Sequence, residues 1–218
     1  MHRFAEISEV VLSGRASEEE QEEWFRQNGP DAPGLIHHLQ AEGATYERIL
    51  FWSFRYAETY FGLPHVADRA VLVPTAEQDP IVRLDVLATF FSRPSAFIFL
   101  TPEEQALVTR RAMRPLEPSC VVGSGLEPVA RRTGVELELD RLGIRTPFIL
   151  YLGRVDPNKG CEVLFRHFQR YHTEHPSSLQ LVLAGPANMP FPHHPSVKSL
   201  GRVDDRLREA LLDRKSVV

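Results

Sequence analysis

The sequence lacks the features that define several large classes of protein. Only two cysteines occur, Cys120 and Cys161, and no C-x-x-C pair is present, which argues against a disulfide scaffold and a zinc knuckle. No apolar run approaches the roughly 18 residues of a membrane span. Glu6 and Glu9 interrupt the stretch where a signal peptide needs an apolar core. We therefore expect a chain that neither spans a membrane nor is exported, and a reducing cytoplasm fits the cysteine usage.

An excess of basic residues is also lacking. Lys and Arg number 25 against 29 Asp and Glu, a formal net charge of −4, so the sequence has no overall electrostatic footprint for nucleic acid. Any anion site must be built locally. What is present is ordinary for a globular protein, since 43% of the residues are hydrophobic and 25% are charged, enough to form a core.

Short apolar runs alternate with helical patterns along the chain. The runs are bounded by charge or glycine, which is typical of strands buried on both faces of a parallel sheet. They lie at Ile49–Trp52, Ala70–Val73, Ala96–Leu100, Phe148–Leu152 and Leu179–Ala184. Helical spacing occurs between them, over Ile81–Phe91, Pro102–Met113 and Cys161–Tyr171. The alternation predicts right-handed βαβ units and mostly parallel sheets, an α/β fold.

Two helix starts carry recognisable signals. An E/Q-rich stretch from Ser17 to Gln27 predicts an exposed, charged helix that Gly29-Pro30 ends. Thr101 is predicted as the N-cap of a second helix, with Glu104 as its capping-box partner. We therefore interpret Glu103 and Glu104 as carboxylates that favour the helix dipole rather than as an acid/base pair.

The alternation of strands and helices stops between Arg114 and Pro147. Prolines and glycines punctuate this stretch, which has one brief predicted strand at Ser119–Val122. We interpret residues 114–146 as an interdomain connection. One α/β domain then covers residues 1–113 and a second covers residues 147–218.

The segment after the strand Phe148–Leu152 carries the clearest functional pattern. Gly153 and Arg154 are followed by a tight turn, then Lys159, Gly160 and a helix. α/β folds bind anions where a strand's carboxyl end leads into a helix N-terminus, because free backbone N–H groups and the helix dipole point there. Arg154 supplies a bidentate fork and Lys159 a flexible point charge, which suit a diphosphate. From spacing alone, two basic residues on a surface loop are an equally good interpretation.

This segment resembles an element of a known family. Gly153-Arg154 followed by Lys159-Gly160 is similar to the "GR…KG" element of the GT-B glycosyltransferases of the family 4 type. Further segments resemble the family in the same order, with the upstream ones similar to a bacterial subgroup: Val73–Pro80, Phe99–Glu104, Leu181–Gly185 and Ser199–Asp204. The resemblance runs from about Tyr46 to Leu212 and rests on several short motifs in the right order.

The resemblance implies two Rossmann-like domains, an acceptor-side domain and then a domain that binds a nucleotide sugar. It implies a hexosyltransferase-like transfer from that donor to a glycan, lipid or small-molecule acceptor, with retention of configuration and without a metal or cofactor. By this resemblance, the residues that bind the donor diphosphate are Gly153, Arg154 and Lys159. The residues near the nucleotide are Gly185, Gly201, Arg202 and Val203. The resemblance includes no nucleic-acid partner and leaves peripheral membrane contact open.

Two departures from the family pattern stand out. Many members have a histidine in the segment that aligns with Val73–Pro80, where this sequence has Ala76-Glu77-Gln78-Asp79, so Glu77 becomes the candidate for that catalytic position. The family's E-x₇-E motif would lie beyond Val218, and several βαβ units expected ahead of Ile49 are missing. We therefore expect both domains to be incomplete and the chain to transfer sugar poorly or not at all.

The carboxyl-terminal hexapeptide, residues 213–218, is D-R-K-S-V-V. It is the translation of GAT CGG AAG AGC GTC GTG, part of a widely used sequencing adapter. We interpret these residues as an artefact of read-through rather than as a charged tail that arose by chance.

Several other patterns favour structural interpretations. Val121–Gly125 is similar to the start of a dinucleotide fingerprint, but Pro128 replaces the third glycine, so a hinge turn is favoured. His172 and His175, with His167 nearby, are interpreted as a solvated helix end rather than as a metal site. A non-catalytic α/β module that binds a phosphate ligand or a protein partner stays the alternative function.

Overall fold

The computed structural model describes residues 2–125, 135–145 and 147–214, and it divides into two compact units, Met1–Gly125 and Leu126–Val218. The first unit contains α1 (His2–Leu12), α2 (Glu18–Asn28), α3 (Pro33–Glu42), β1 (Ile49–Trp52), α4 (Ala57–Gly62), β2 (Ala70–Val73), α5 (Asp85–Phe91), β3 (Ala96–Phe99), α6 (Pro102–Arg111) and β4 (Ser119–Val121). The second contains α7 (Val135–Arg141), β5 (Phe148–Leu152), α8 (Cys161–Glu174), β6 (Gln180–Ala184), β7 (Val197–Gly201) and α9 (Asp205–Arg214). The predicted α/β fold is confirmed.

The boundary between the units falls inside the predicted connection 114–146. The part before it includes β4, which pairs with β3 in the first sheet. Leu139 and Ile144, from the part after it, pack in the core of the second unit. Residues 126–134, among them Pro128 of the predicted hinge turn, and residue 146 lie outside the described residues. Asp213 and Arg214, the first two residues of the predicted adapter-derived tail, are the last two residues of α9. Residues 215–218 lie outside the described residues.

The first sheet has the strand order β1-β2-β3-β4, and every neighbouring pair is parallel. Strands that follow one another across a parallel sheet are joined by right-handed crossovers, so crossovers that all move in one direction place their helices on one face. Side chains on that face form a single core with helical residues from α2, α5 and α6: Phe25, Leu72, Leu87, Phe97, Phe99 and Val108.

The opposite face of the first sheet is exposed. The side chains of Leu50 and Trp52 are 58% and 60% exposed. The prediction that β1 is buried on both faces is therefore wrong. The physical reason is that the described helices of the first unit contribute to one core only, on the other face of the sheet.

The second sheet, with the order β5-β6-β7, is also parallel throughout, and helices cover both of its faces. On one face, Phe165 and Phe168 of α8 pack with Leu181 and Leu183 of β6. On the other, Leu139 of α7 and Ala210 and Leu211 of α9 pack with Phe148 and Val182. The sheet's carboxyl edge, where each strand ends, stays free for loops.

The helices of the first unit begin and end near the predicted signals. Ser17 and Glu20 form a capping box at the start of α2, whose Trp24 and Phe25 are buried, so the helix is amphipathic rather than exposed. Thr101 caps α6 by accepting a hydrogen bond from the Glu104 N–H. Among the described residues, no helix is both long enough and apolar enough to cross a membrane.

Candidate functional site

A glycine with positive φ lies at the carboxyl end of each strand of the second sheet. The φ angles of Gly153, Gly185 and Gly201 are +149°, +147° and +65°. The N–H of Gly185 donates to the carbonyl of Gly201 at 2.7 Å, and a Cβ on Gly185 would overlap the Gly153 carbonyl. A side chain at Gly185 would therefore prevent this close approach. The structure thus brings these three predicted residues to one edge of the sheet.

Arg154 follows at this edge and contacts a carboxylate. Its side chain is 55% exposed, and its Nε lies 3.3 Å from Oδ2 of Asp156. Oδ1 of Asp156 accepts a hydrogen bond from the Asn158 N–H at 3.0 Å. Asp156 thus fixes the turn after β5 and engages Nε, while the two Nη groups of Arg154 make no hydrogen bond with the described residues. A guanidinium held in this way can present its fork to an anion.

Lys159 lies on the same turn, at the start of α8. It ends the 3₁₀ helix Pro157–Lys159, and its backbone N–H donates to the Asp156 carbonyl at 3.0 Å. Its side chain is exposed and makes no hydrogen bond or ion pair with the described residues. Gly160 follows in the left-handed region with φ +72° and caps α8 without any side-chain hydrogen bond. Because the N-cap residue is a glycine, no N-cap side chain accepts a hydrogen bond from the first-turn N–H groups of this 14-residue helix. Glu162, an acidic residue in the same turn, reduces the attraction for an anion.

The two cations act on one carboxylate. The pKa of Asp156 lies below its usual value, mainly because the Asn158 N–H bonds the charged form, and because Asn188, Arg154 and Lys159 also favour it. The structure thus places Arg154 and Lys159 on the same turn between β5 and α8. Their joint role as a phosphate clamp stays a prediction.

Tyr151 supports the turn from the preceding strand. Its hydroxyl donates to the carbonyl of Arg154 at 2.7 Å. Burial, with contributions from Cys161 and Asp156, raises the pKa of Tyr151 to about 12, so the phenol keeps its proton at neutral pH. A protonated phenol is needed because only the O–H form can donate this bond.

The predicted nucleotide-proximal residues lie at the ends of the other two strands. Gly201 ends β7, and Arg202 is exposed after it and makes no hydrogen bond or ion pair with described residues. Val203 instead packs against the core of the second unit. Of Arg202 and Val203, only Arg202 has an exposed head group that can contact a ligand. It is the third cation, besides Arg154 and Lys159, in the segments that follow the strands of the second sheet.

Glu77, the candidate catalytic residue, lies in the first unit, in the loop after β2. Its side chain is exposed, and its carboxylate has no partner among the described residues. The loop is held by another carboxylate. Glu104 is buried and accepts the N–H of Ala76 at 2.8 Å with one oxygen and the N–H of Leu100 at 2.7 Å with the other. Glu104 thus ties the loops after β2 and β3 together instead of completing the predicted capping box.

Asp79 fixes the far end of the same loop. It forms an ion pair with Arg55, which follows β1, and accepts the N–H of Val82 at 3.1 Å. The loop that carries Glu77 is therefore held at both ends, and it includes Thr75 in the left-handed region with φ +52°. The catalytic role of Glu77 stays a prediction.

The structure corrects one interpretation of the histidines. His172 is half-buried, its Nε2 lies 2.7 Å from the carbonyl oxygen of Leu179, and its ring packs on Phe168 and His194 at centroid distances of 4.6 Å and 5.1 Å. It closes the turn between α8 and β6 rather than facing solvent. No group of three or more His, Cys, Asp or Glu among the described residues is arranged to hold a metal ion.

Sequence reasoning missed the residues that hold the site in place. Asp156 and Tyr151 were visible in the segment, but their partners are a backbone carbonyl, an N–H and Asn188, which lies 32 positions along the chain from Asp156. The D-P-N sequence after Val155 was the available signal, because Asp before such a turn often accepts an N–H two residues on.

Comparison with known proteins adds no family assignment. No protein-family model matches the chain, and no curated protein matches it significantly. The site must therefore be interpreted from its geometry and from the motif resemblance.

Proposed function

We propose that the chain carries the donor site of a glycosyltransferase of the GT-B type, similar to family 4, an enzyme that moves a sugar from a nucleotide-sugar donor to a glycan, lipid or small-molecule acceptor with retention of configuration. The observation that carries the proposal is the turn after β5. There Arg154, whose Nε contacts Asp156, and the exposed Lys159 lie on one turn that leads into α8, at a sheet edge where a glycine ends or follows each strand. Such an arrangement would suit a diphosphate.

The chemistry assigns a role to each cation. When the bond between the anomeric carbon and the diphosphate breaks, negative charge develops on the phosphate oxygens. Fixed cations that contact those oxygens stabilise the transition state more than the ground state. Arg154 would contact two oxygens with its free Nη groups, and Lys159 would contact the remaining charge. In this proposal, the two side chains take the part that a metal ion plays in other transferases.

The other site residues complete the proposal. Gly185, Gly201 and Arg202 would lie near the nucleotide, because they end or follow β6 and β7 on the same edge as Gly153. Glu77, whose carboxylate has no partner among the described residues, would contact the transferred sugar. A cytoplasmic location is part of the proposal, since Cys120 and Cys161 are both free thiols.

Binding of nucleoside diphosphates tests the clamp without requiring turnover. We expect at least one of UDP, GDP, ADP and TDP to bind the purified chain in calorimetry. Arg154→Ala and Lys159→Ala should each weaken that binding by about 10- to 100-fold, because hydrogen bonds to charged groups contribute roughly 1.5–3 kcal/mol. Arg154→Lys should restore only part of the loss, since a point charge cannot replace the fork.

Arg170→Ala is the matched control. Arg170 lies on the exposed side of α8 and pairs with Glu174 at 2.8 Å, so its loss should change the affinity less than twofold. Equal effects of Arg170→Ala and Arg154→Ala would mean that the binding reflects general charge, and the clamp would be misassigned.

A further inference from the structure

The loop after β6 continues the pairing of β5 and β6 beyond the ends of the two strands. The N–H of Val155 donates to the Pro186 carbonyl at 2.9 Å, and the N–H of Asn188 donates to the Val155 carbonyl at 2.9 Å. Val155 and Ala187 thereby form a parallel bridge. The turn that carries Arg154 and the loop that carries Asn188 are thus joined through their backbones.

The side chain of Asn188 contacts the same carboxylate as Arg154. Nδ2 of Asn188 donates to Oδ2 of Asp156 at 3.4 Å, and Nε of Arg154 lies 3.3 Å from that same oxygen. Oδ1 of Asp156 accepts the N–H of Asn158 at 3.0 Å. Asp156 is only 8% exposed, so these donors take the place of the water that an exposed carboxylate binds. Each oxygen of the carboxylate therefore has a fixed donor.

Asp156 supports Arg154 but is also a competitor for any anion that Arg154 binds. The Asn158 N–H, with Asn188 and Arg154 as further causes, holds the pKa of Asp156 below its usual value, so the side chain is charged at neutral pH. A charged carboxylate that is free to turn tends to pair with a guanidinium through two parallel N–H groups. Here the contact of Asp156 with Arg154 is through Nε, and the two Nη groups make no hydrogen bond with described residues.

Asn188 is placed to limit how the carboxylate turns. Among the described residues, it supplies the one neutral side chain that bonds Asp156. Its backbone is fixed by the bond to the Val155 carbonyl, whereas its side chain belongs to an exposed residue. An exposed side chain contributes little to a core, so the bond to Asp156 is the main contact through which Asn188 can act.

We propose that Asn188 is a positioning residue of the phosphate clamp, which holds the Asp156 carboxylate on Nε of Arg154 and so leaves both Nη groups for a diphosphate. The inference rests on the proposed function of Arg154, and it gives Asn188 no contact with the ligand. Because Asn188 acts through Asp156 on Arg154, its loss lowers the affinity for a diphosphate only while Arg154 is present.

Two substitutions of Asn188 test this role by calorimetry with the tightest binder among UDP, GDP, ADP and TDP. Asn188→Ala should weaken binding by about 3- to 10-fold, the equivalent of one hydrogen bond. Asn188→Asp keeps the size of the side chain but should weaken binding further, because it repels Asp156 and adds a second carboxylate that competes for Arg154. If Asn188 only filled space, Asn188→Asp would bind as the wild type does.

Asn158 provides matched controls on the same turn. Its contact with Asp156 is made by its backbone N–H, and its side chain is exposed. Asn158→Ala should therefore change the affinity less than twofold. Asn158→Asp measures the effect of an added negative charge alone, and the loss in Asn188→Asp should exceed it. Asn188 and Asn158 are both exposed, so the fold should tolerate these changes, and circular dichroism checks it.

A double-mutant cycle shows whether Asn188 acts through Arg154. Adding Asn188→Ala to Arg154→Ala should leave the affinity within about twofold of Arg154→Ala alone, because no guanidinium remains to be positioned. If Asn188 contributed independently of Arg154, its loss would weaken binding by the same factor in both backgrounds.

Three results would overturn this inference and leave the proposed function standing, provided that Arg154→Ala weakens binding. They are an affinity of Asn188→Ala within twofold of the wild type, an equal loss in both backgrounds of the cycle, and a loss in Asn188→Asp no larger than in Asn158→Asp. If the wild type binds none of the four nucleoside diphosphates, or if Arg154→Ala binds them as tightly, the proposed function and this inference both fail.

Discussion

Gly185 and Gly201 end neighbouring strands but differ in what surrounds them. A Cβ on Gly185 would overlap the carbonyl of Gly153, whereas a Cβ on Gly201 has open space around it. Gly185→Ala combines backbone strain with overpacking, and should lower the free energy of opening of the second unit by about 2–6 kcal/mol. Gly201→Ala carries the left-handed strain alone, about 1–2 kcal/mol. Native-state hydrogen exchange of the β6 amides measures both, and equal losses would mean that the close approach is not real.

Asp156 makes the stability of the second unit depend on pH. Its pKa is lowered in the folded state, so its contribution is present above the ordinary aspartate pKa of about 3.9 and is lost as the pH falls through the lower folded-state value. In Asp156→Asn the amide oxygen still accepts the Asn158 N–H, but the charge is gone. We expect the variant to have a lower Tm than the wild type at about pH 6 and the same Tm at about pH 2. Asp140→Asn, exposed on α7, should match the wild type throughout; a constant Tm gap between Asp156→Asn and the wild type at all pH values would contradict this account.

At this scale the sequence predicts the groups that could bind a ligand, but not the groups that hold them. Arg154 and Lys159 are recognisable because a strand, a glycine and a helix start are all local patterns. The bond between Asp156 and Asn188 joins segments far apart in sequence, and the hydrogen bond from Tyr151 ends on a backbone carbonyl. Neither partner leaves a local signal.

Among the structural elements, the amino terminus of α6 joins two loops of the first unit. Glu104 is buried there and accepts backbone N–H groups from the loops after β2 and β3. Glu104→Ala should lower the free energy of unfolding by about 2–4 kcal/mol, because two N–H groups lose their acceptor. Urea unfolding followed by Trp24 fluorescence measures it, since Trp24 is buried in the same core. Glu103→Ala, exposed one position earlier, should stay within about 0.5 kcal/mol, and similar losses in the two variants would contradict the role of Glu104.

The elements themselves are largely predictable, and the exceptions have physical causes. Ile49–Trp52, Ala70–Val73 and Phe148–Leu152 are strands with the predicted bounds, because short apolar runs that end at charged residues, proline or glycine are typical of strands in parallel sheets. α2 was predicted as exposed because its sequence is mostly charged. Trp24 and Phe25 nevertheless bury one side of it, which depends on the neighbouring helices rather than on its composition.

Across the whole molecule, the helices that flank a sheet decide what the apolar patterns of its strands cannot. The apolar run of β1 and that of β6 look alike, and both sheets have strands in sequential order. The sheet around β6 is nevertheless covered on both faces, because α7 before β5 and α9 after β7 pack opposite α8. The described helices of the first unit contribute to one core only, so the fold class is predictable from sequence, whereas the coverage of each sheet face is not.

The central claim is that Arg154, Lys159 and the start of α8 hold a diphosphate. An amide NMR titration of the ¹⁵N-labelled chain with the tightest-binding nucleoside diphosphate tests it most directly. We predict the largest shifts at the N–H groups of Gly153, Gly160, Cys161 and Glu162, and none at Arg170 or Glu174 at the far end of α8. Shifts confined to other parts of the chain, or an unchanged spectrum with all four nucleoside diphosphates, would contradict the assignment of this edge as the donor site.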